Sequence, residues 1–199
     1  NISDGIFSNV NEDGIIQNVY FTGTMNVGQG YKGPLGSNMS GAIINCYTDI
    51  SGTGTCGFAR RLTDEGIVSN SYSVSEGKAG AFFNQYGTND TAGEGQLINT
   101  YWLETLDNSV IPESALVNSY SETKDYMKSL DFVSALNENK GENGVSWGRN
   151  GNTGYPYFGE SQDYNPGSTL PANKYTVKFT KFDNTVVTVE NQNLEISCN

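Results

Sequence analysis

The sequence predicts an all-β protein whose main body is a right-handed β-helix (β-solenoid). The first observation is a repeat. The pattern Gly-x-aliphatic-x-Asn-x-Tyr occurs at residues 14–20, 41–47, 66–72 and 95–101, with a degenerate fifth copy at 114–120. Its asparagines are 27, 25, 29 and 19 positions apart, a period typical of supersecondary units that stack on one another. The second observation is composition, since 24 Gly, 12 Tyr and only 17% charged residues describe a turn-rich β chain.

The third observation is the third position of the repeat, which is aliphatic in all five copies. Its occupants are Ile16, Ile43, Val68, Leu97 and Leu116. A strand that faces a continuous interior needs an apolar side chain at the same place in every coil. We therefore expect one buried column, in which each side chain contributes roughly 1.5 to 3 kcal/mol of apolar transfer free energy.

The fifth position of the repeat is asparagine in every copy. These residues are Asn18, Asn45, Asn70, Asn99 and Asn118. Asparagine is the residue after glycine that best tolerates left-handed backbone, which a sharp corner between strands requires. The pattern predicts a corner at each asparagine, and stacked asparagines can bond one another as a ladder.

The seventh position is tyrosine in every copy, at Tyr20, Tyr47, Tyr72, Tyr101 and Tyr120. We expect these rings to point into the interior, because large aromatic side chains gain most from burial. If they line the outside instead, they form an aromatic ladder suited to sugar rings, and Trp102 beside Tyr101 would join it.

A second, glycine-led element alternates with the repeat, at residues 5–7, 33–36, 57–59 and 80–83. Each coil is therefore predicted to hold two short strands, one from each element. Insertions fall in loops such as residues 24–32 and 86–94. Four to five coils over residues 1–120 would stack to about 20–25 Å.

Residues 121–158 are predicted to cap the solenoid. Four apolar residues recur there at spacings of three: Met127, Leu130, Val133 and Leu136. They predict an amphipathic helix at about 123–137, with Thr123 as its N-cap, followed by an aromatic segment that includes Trp147. Because an open solenoid end exposes apolar strand edges, we expect this segment to cover such an end.

The rest of the chain is predicted to be a separate unit. Residues 159–173 contain two of the five prolines and no apolar periodicity, which indicates a linker. Residues 174–199 alternate apolar and polar side chains, and we expect strands at 175–180, 186–189 and 194–197 with a turn at 183–184. Three strands in so few residues are too little for independent stability, so the segment is interpreted as part of an Ig-like or β-grasp module.

The charge balance excludes some classes of partner. Eleven basic and 22 acidic residues give a net charge of −11, which argues against binding nucleic acid or anionic membrane surfaces. The chain has no run of about 18 apolar residues, so no membrane insertion is expected, and it opens without a signal peptide. Starting at Asn1, it resembles an excised piece, and we expect it to be extracellular.

The three cysteines, Cys46, Cys56 and Cys198, are too few and odd in number for a disulfide framework. The position of Cys46 holds Val19, Ser71, Thr100 and Ser119 in the other copies, which favours a small residue that fills a stacked position. The length of the loop between Cys46 and Cys56 would allow a disulfide bridge, so this alternative stays open.

The absence of histidine from the sequence narrows the catalytic options. It excludes nucleophile–histidine pairs and histidine-based zinc sites, and leaves carboxylate pairs. The candidates are Asp49, Asp64, Glu65, Asp90 and Glu94. They fall at different places in their coils, so we interpret them as surface residues and assign no catalytic, cofactor-binding or metal-binding residue.

Two acidic segments have oxygen ligands of the kind that calcium prefers, residues 89–94 and the turn at 11–13, but neither has the spacing of a known calcium loop. We therefore expect no cofactor, with calcium as the alternative. The pair Arg60 and Arg61 lies near Asp64 and Glu65 in the sequence, which predicts a surface ion-pair group.

The repeat, with the ending Trp147…Asn150…Gly154-Tyr155-Pro156-Tyr157, resembles the GLUG-motif repeats of large bacterial surface and secreted proteins, including IgA-peptidase-like proteins and filamentous adhesins. The resemblance covers roughly residues 5–158 and is carried by the segment at 66–72 and its copies, with the Gly-hydrophobic elements such as 33–36. It implies a scaffold inside a multi-domain protein and brings no catalytic residues. The tail looks like the β-rich modules that follow such repeats.

These observations predict a non-catalytic extracellular module of a bacterial surface protein, with an adhesion role or a stalk or scaffold role. Its partners would be a host glycan or glycoprotein and other domains of the same parent chain. The alternative is an accessory glycan- or glycoprotein-binding domain of a secreted hydrolase or peptidase. A third hypothesis, a carbohydrate-active β-helix enzyme, needs carboxylates that converge in one groove.

Overall fold

A stack of parallel strands forms the body of the protein, and the all-β β-solenoid fold predicted from the sequence is confirmed. The computed structural model describes residues 5–27, 32–63, 65–75, 80–87, 94–151, 154–161, 175–180 and 186–192. The chain divides into two compact units, Asn1–Asp163 and Tyr164–Asn199.

Fourteen short strands build the described part of the solenoid. In chain order they are β1 (Asn9–Val10), β2 (Ile15–Gln17), β3 (Tyr20–Thr24), β4 (Gly36–Met39), β5 (Ala42–Ile44), β6 (Tyr47–Ser51), β7 (Ala59–Leu62), β8 (Ile67–Ser69), β9 (Tyr72–Ser73), β10 (Gln85–Tyr86), β11 (Gln96–Ile98), β12 (Tyr101–Leu103), β13 (Leu116–Val117) and β14 (Tyr120–Glu122). A 3-10 turn at Glu113–Ala115 precedes β13.

The strands form three parallel sheets. Sheet A has the order β1-β4-β7-β10, sheet B the order β2-β5-β8-β11-β13, and sheet C the order β3-β6-β9-β12-β14. Each repeat therefore contributes two strands, one to sheet B and one to sheet C, and the glycine-led element leads into the strand of sheet A. The prediction of two strands per coil was wrong, because the asparagine inside the repeat divides it at a corner.

The asparagine corners are confirmed. All five repeat asparagines have positive φ, between 42° and 57°. Equivalent residues pair in register across the coils, so that Ile16, Ile43 and Val68 lie in one row and Tyr20, Tyr47 and Tyr72 in another. The left-handed residue thus turns the chain at the same place in each coil, which keeps the rows aligned.

The first glycine of the repeat sits where neighbouring coils approach closely. A Cβ added at Gly41 would lie 2.1 Å from the carbonyl oxygen of Gly14, and one added at Gly66 would lie 2.5 Å from that of Met39. Real side chains do not tolerate such distances, so the corner between sheets A and B requires glycine. This requirement explains why the repeat begins with glycine.

The interior is filled by the predicted aliphatic column and by aromatic rings from the glycine-led element. Ile43, Val68 and Leu97 are completely buried. Phe58 and Phe82 stack at 5.5 Å between ring centroids inside the same cluster. Ile16 and Leu116, the end members of the predicted column, are partly buried and pack against this cluster, so the column is fully buried only in the middle coils.

The repeat tyrosines point away from this interior, so the expectation of inward rings was wrong. Tyr72 and Tyr101 belong to a second apolar cluster, which also contains Met127, Phe132 and Leu136 from the helical segment. Trp102 points the opposite way, into the solenoid core with Phe82. Tyr72 and Tyr101 are buried nonetheless, because a later segment covers the middle of sheet C, whereas Tyr20 and Tyr120 at its two ends are more than half exposed.

That segment contains two helices, α1 (Lys124–Met127) and α2 (Leu130–Asn139), instead of one helix at about 123–137. Thr123 caps α1 as predicted, and its side chain accepts a hydrogen bond from the Tyr126 amide. Ser129 then caps α2 by accepting from the Phe132 amide. Leu130 is the first residue of α2 after this second cap, and it points to solvent. The buried face of α2 is formed by Phe132, Val133 and Leu136.

Residues 123–158, which we call the lateral cover, also include the antiparallel pair β15 (Trp147–Gly148) and β16 (Tyr157–Phe158), whereas residues 121 and 122 of the predicted cap belong to β14. The segment contacts the corner asparagines of successive coils, from Asn18 to Asn99. It therefore lies along the side of the stack. The expectation that it closes an end of the solenoid was wrong.

Cys46 and Cys56 are both buried and unbridged, so the alternative of a disulfide between them is not realised. Burial raises the pKa of each thiol to about 12. Cys46 fills the inner corner position after Asn45, as the sequence predicts. Cys198 lies outside the described residues.

The second unit contains an antiparallel pair, β17 (Tyr175–Thr180) and β18 (Val186–Gln192). These bounds agree with two of the strands predicted there. The predicted turn at 183–184, the third strand at 194–197 and most of the predicted linker lie outside the described residues.

Candidate functional surface: the asparagine corner and the tyrosine column

The side-chain amides of the first three corners form a ladder. Asn45 Nδ2 donates to Asn18 Oδ1 at 2.7 Å, and Asn70 Nδ2 donates to Asn45 Oδ1 at 2.7 Å. Asn45 and Asn70 are buried, so these amides are shielded from competing water. The ladder holds the three coils in register through side chains, in addition to the backbone bonds.

The lateral cover bonds to the same amides. Asn45 Nδ2 also donates to the Val145 carbonyl at 3.0 Å, and Asn70 Nδ2 donates to the Leu136 carbonyl at 2.9 Å. Asn18 Nδ2 donates to the Asn143 carbonyl at 2.9 Å. The corner amides thus use backbone carbonyls of the cover as acceptors.

The lateral cover also donates hydrogen bonds to the side chains of the corner asparagines. The Val145 amide donates to Asn18 Oδ1 at 2.9 Å, and Trp147 Nε1 donates to Asn45 Oδ1 at 2.6 Å. In the fourth coil, Asn99 Nδ2 donates to Asn139 Oδ1 at 3.2 Å. Four successive coils are therefore fastened to one stretch of chain.

One amide oxygen of this network is buried without a hydrogen-bond partner among the described residues. It is Oδ1 of Asn70, at the step where the ladder would continue to Asn99. Asn99 directs its amide to the cover instead. The ladder is thus interrupted between the third and fourth coils, while the contact with the cover continues.

The tyrosines of sheet C stack on one another. Tyr20 and Tyr47 lie 5.2 Å apart between ring centroids with planes 9° apart, and Tyr47 and Tyr72 lie 5.1 Å apart with planes 4° apart. Phe132 contacts Tyr72 and Tyr101 edge-on, at 5.6 and 5.1 Å. These aromatic contacts join the sheet to α2.

The hydroxyl of Tyr72 is inside this packing and donates to the Pro156 carbonyl. Burial raises the pKa of Tyr72 well above its usual value, and the nearby Tyr47 and Asp49 raise it further. Burial also raises the pKa of Tyr101. Both phenols stay protonated at neutral pH, so their role in this geometry is structural.

The first end of the column is open to solvent. Tyr20 is 55% exposed although one face of its ring is against Tyr47. Phe158 lies 6.2 Å from Tyr20 and 5.6 Å from Tyr47. We call these three rings the aromatic platform. Rings presented in this way can stack against the apolar face of a sugar.

The carboxylates considered from the sequence do not converge in the described structure. Asp49 is exposed on the outer side of sheet C, whereas Glu65 and Glu94 are exposed at the corner between sheets A and B. Asp64 and Asp90 lie outside the described residues. Within the part of the chain that the structure describes, no group of three or more Asp, Glu or Cys side chains is placed to hold a metal ion.

Of the two segments considered for calcium, the loop at 89–91 lies outside the described residues. The turn at 11–13 is described, and there the Asn11 carbonyl accepts a hydrogen bond from the Gly14 amide at 2.8 Å. That oxygen is already engaged in closing the turn.

Arg61 lies on the outer face of sheet A. Its Nε and Nη2 donate to Gln85 Oε1 at 3.0 and 2.7 Å, across neighbouring strands. These contacts follow the strand register of sheet A. The arginine thus belongs to a polar row that stabilises the sheet. Asp64 lies outside the described residues, so the predicted ion-pair group of Arg60 and Arg61 with Asp64 and Glu65 stays a prediction.

The attachment of the cover to the corner was missed by sequence reasoning. A signal exists in the abundance of asparagine in that segment, since the Asn137 side chain holds the Trp147 backbone by two hydrogen bonds of 2.9 Å and the Asn139 side chain bonds to the corner at Asn99.

None of the described helices is long and apolar enough to cross a membrane.

Comparison of the chain with protein-family models, with curated proteins and with solved structures finds no match.

Proposed function

We propose that this chain is a non-catalytic extracellular module of a bacterial surface or secreted protein, a rigid scaffold or stalk that holds neighbouring domains of its parent chain in place. The observation that carries the proposal is the attachment of one lateral segment to the corners of four successive coils. The GLUG-like repeat supports the extracellular bacterial setting.

The attachment matters because a solenoid is held together mainly by nearest-neighbour contacts and can open from its ends. Here Val145 bonds to Asn18 of the first coil, while Asn139 bonds to Asn99 of the fourth. The first coil therefore cannot separate without breaking contacts to a segment that also holds the fourth. A module whose coils open together suits the transmission of load along its axis.

The distribution of charged side chains supports a role without catalysis. Among the described carboxylates, Asp49 and Glu65 lie on different sides of the solenoid, and the buried Asn70 amide nitrogen and Tyr72 hydroxyl are engaged in structural hydrogen bonds. A glycoside hydrolase or lyase needs two carboxyl groups within about 5 to 10 Å of each other across a bound sugar.

Native-state hydrogen exchange tests the scaffold. We expect backbone amides of the first four coils to exchange by one common opening with the same free energy, close to that of global unfolding. In the Trp147→Ala variant, we expect the first coil to open at lower free energy than the fourth. An Asn38→Ala variant, which changes an exposed asparagine pair on sheet A, serves as control. Independent opening of the coils in the unaltered protein would contradict the proposal.

The aromatic platform favours a second candidate, an accessory domain that binds a glycan or glycoprotein. Tyr20 and Tyr120 make a matched pair for the test, because they occupy opposite ends of the column and are 55% and 54% exposed. We expect Tyr20→Ala to abolish binding to any glycan retained on an array, and Tyr120→Ala to leave it unchanged. Equal loss in both variants, or no retained glycan, would argue against this candidate.

A further inference from the structure

The three outer faces of the solenoid differ in how they meet solvent. Sheet A presents a polar row that includes Asn9, Asn38 and Arg61, which needs no cover. Sheet C presents tyrosines together with Val74 and Leu103, and the lateral cover packs on its middle, where Tyr72, Tyr101, Val74 and Leu103 are buried. The outer face of sheet B carries mostly aliphatic side chains, with Gln17, Ser69 and Gln96 among them, and several of these aliphatic side chains are exposed.

Strand alternation identifies the residues on the outer face of sheet B. Since Ile43, Val68 and Leu97 point inward, the residues on either side of each of them point outward. The aliphatic members of this outer face are Ile15, Ala42, Ile44, Ile67, Ile98 and Val117. Ile15 is 67% exposed, Ile67 40% and Val117 39%.

These side chains lie in two adjacent rows across the strands, and each row also contains polar residues. One row consists of Ile15, Ala42 and Ile67, followed by Gln96. In the other row Gln17 precedes Ile44, and Ser69 lies between Ile44 and Ile98, which is followed by Val117. Five strands about 4.8 Å apart span roughly 19 Å, and the two rows are about 7 Å apart. A stripe of this length and width matches the apolar face of a helix of about 13 residues.

One edge of the stripe is acidic. The residue that precedes the first position of the repeat is Asp13, Glu65, Glu94 or Glu113 in four of the five coils, and all four are exposed. The described strands of sheet B and the residues that lead into them contain no lysine or arginine. Stacked like charges repel one another, and a cationic neighbour would relieve this repulsion.

We propose that the outer face of sheet B is a docking surface for an amphipathic helix of a partner polypeptide, whose aliphatic side contacts the stripe and whose lysine or arginine side chains lie along the acidic edge. The arrangement of α2 on sheet C is the precedent within this molecule, since a helix there covers the apolar outer face of a sheet in the same stack. The charge of the edge selects a cationic partner over an acidic one.

The probe is a 14-residue acetylated peptide with leucine at helix positions i, i+3, i+4 and i+7 and lysine elsewhere. Two further peptides are compared with it: one in which glutamate replaces every lysine, and one with the same composition in scrambled order. Fluorescence anisotropy is expected to give a Kd on the order of 10 to 100 µM for the first peptide, as befits a small interface, and at least tenfold weaker binding for the other two.

Matched variants locate the binding. We expect Ile67→Ser to weaken it about tenfold, as removal of a contacting aliphatic side chain does, whereas Ile6→Ser, at an exposed isoleucine outside sheet B, leaves it unchanged. Binding lost equally in both variants, or no binding of the lysine peptide at millimolar concentration, would overturn the proposal.

The charge component has its own pair of variants. The triple variant Glu65→Gln, Glu94→Gln and Glu113→Gln neutralises the edge, and Glu104→Gln, Glu138→Gln and Glu160→Gln makes the same change in net charge at exposed sites elsewhere. We expect the first triple variant to weaken binding about tenfold and the second to change it less than twofold. Equal effects of the two triple variants would show that the peptide is attracted only by the net charge of −11, and this result would overturn the proposal.

Discussion

Trp147 Nε1 donates a hydrogen bond to Asn45 Oδ1 at 2.6 Å, joining two residues 102 positions apart. The same oxygen accepts from Asn70 Nδ2, and the Asn45 amide nitrogen donates both to Asn18 and to the Val145 carbonyl. Asn45 is completely buried. One side chain therefore joins three coils and the lateral cover.

Replacing Asn45 with alanine is expected to lower the free energy of unfolding by about 2 to 5 kcal/mol. Loss of the side chain leaves buried polar groups without partners, at about 1 to 3 kcal/mol, and alanine at a φ of 54° adds about 1 to 2 kcal/mol of backbone strain. Urea unfolding followed by tryptophan fluorescence measures the change.

Asn118→Ala is the control for this substitution. Asn118 has the same left-handed backbone, with φ 48°, but is exposed. It is expected to show only the strain, about 1 to 2 kcal/mol. If both substitutions cost the same, the hydrogen bonds of Asn45 contribute nothing net and our account of the corner is wrong.

Removing the hydroxyl of Tyr72 is expected to destabilise the protein by about 1 to 3 kcal/mol. The Tyr72→Phe variant keeps the ring stack but leaves the buried Pro156 carbonyl without its donor. Tyr120→Phe removes a hydroxyl from a half-exposed ring of the same column and should cost less than about 0.5 kcal/mol. Thermal and urea unfolding of both variants check the difference. Equal stability of the two would show that the Pro156 contact is not formed in solution.

The corner asparagines could be predicted from sequence because the left-handed preference is a property of the residue itself, visible in each copy. The direction of the tyrosines depends on how many residues the corner takes up. In the structure the position after each asparagine turns inward, where Cys46 and Ser71 fit, and the tyrosine that follows turns outward. The small residues at that position were the signal that could have decided the direction.

The placement of the lateral cover could not be predicted in the same way. Its contacts with Asn18 and Tyr72 join residues far apart in sequence, and no local pattern encodes which face of a stack a later segment will reach. The amphipathic spacing predicted that the segment is helical, but it did not predict that the helix is interrupted before Leu130. That break depends on Ser129, whose side chain caps a second helix.

The glycine at the first position of the repeat gives a further prediction. A Cβ at Gly41 would lie 2.1 Å from the Gly14 carbonyl oxygen, so Gly41→Ala must push two coils apart and is expected to cost about 1 to 3 kcal/mol. Gly154→Ala is the control, because its nearest atom would be 3.6 Å away. Differential scanning calorimetry should show a lower unfolding temperature for the first variant only. A Gly41→Ala protein as stable as the control would contradict the observed coil spacing.

Stability is expected to fall at alkaline pH. The pKa values of Cys46 and Cys56 are raised by burial from 9.0 to about 12. Between these values the unfolded chain loses thiol protons that the folded protein keeps, so the unfolded state binds fewer protons and the free energy of unfolding decreases as pH rises. The expected slope is about 1.4 kcal/mol per pH unit for each thiol, and the contribution is fully present below pH 9.

Urea unfolding in the presence of a reducing agent, at intervals from pH 8 to pH 11, measures this slope. The raised pKa of Tyr72 acts in the same direction above its usual value of 10.0. The Cys46→Ala variant separates the contributions, because it should remove one thiol's share of the slope and leave that of Cys56. Mutation of the buried side chain will also lower the stability at every pH, so the comparison is between slopes and not between absolute values. An unchanged slope would mean that the Cys46 thiol ionises as readily in the folded protein as in the unfolded chain, which its complete burial argues against.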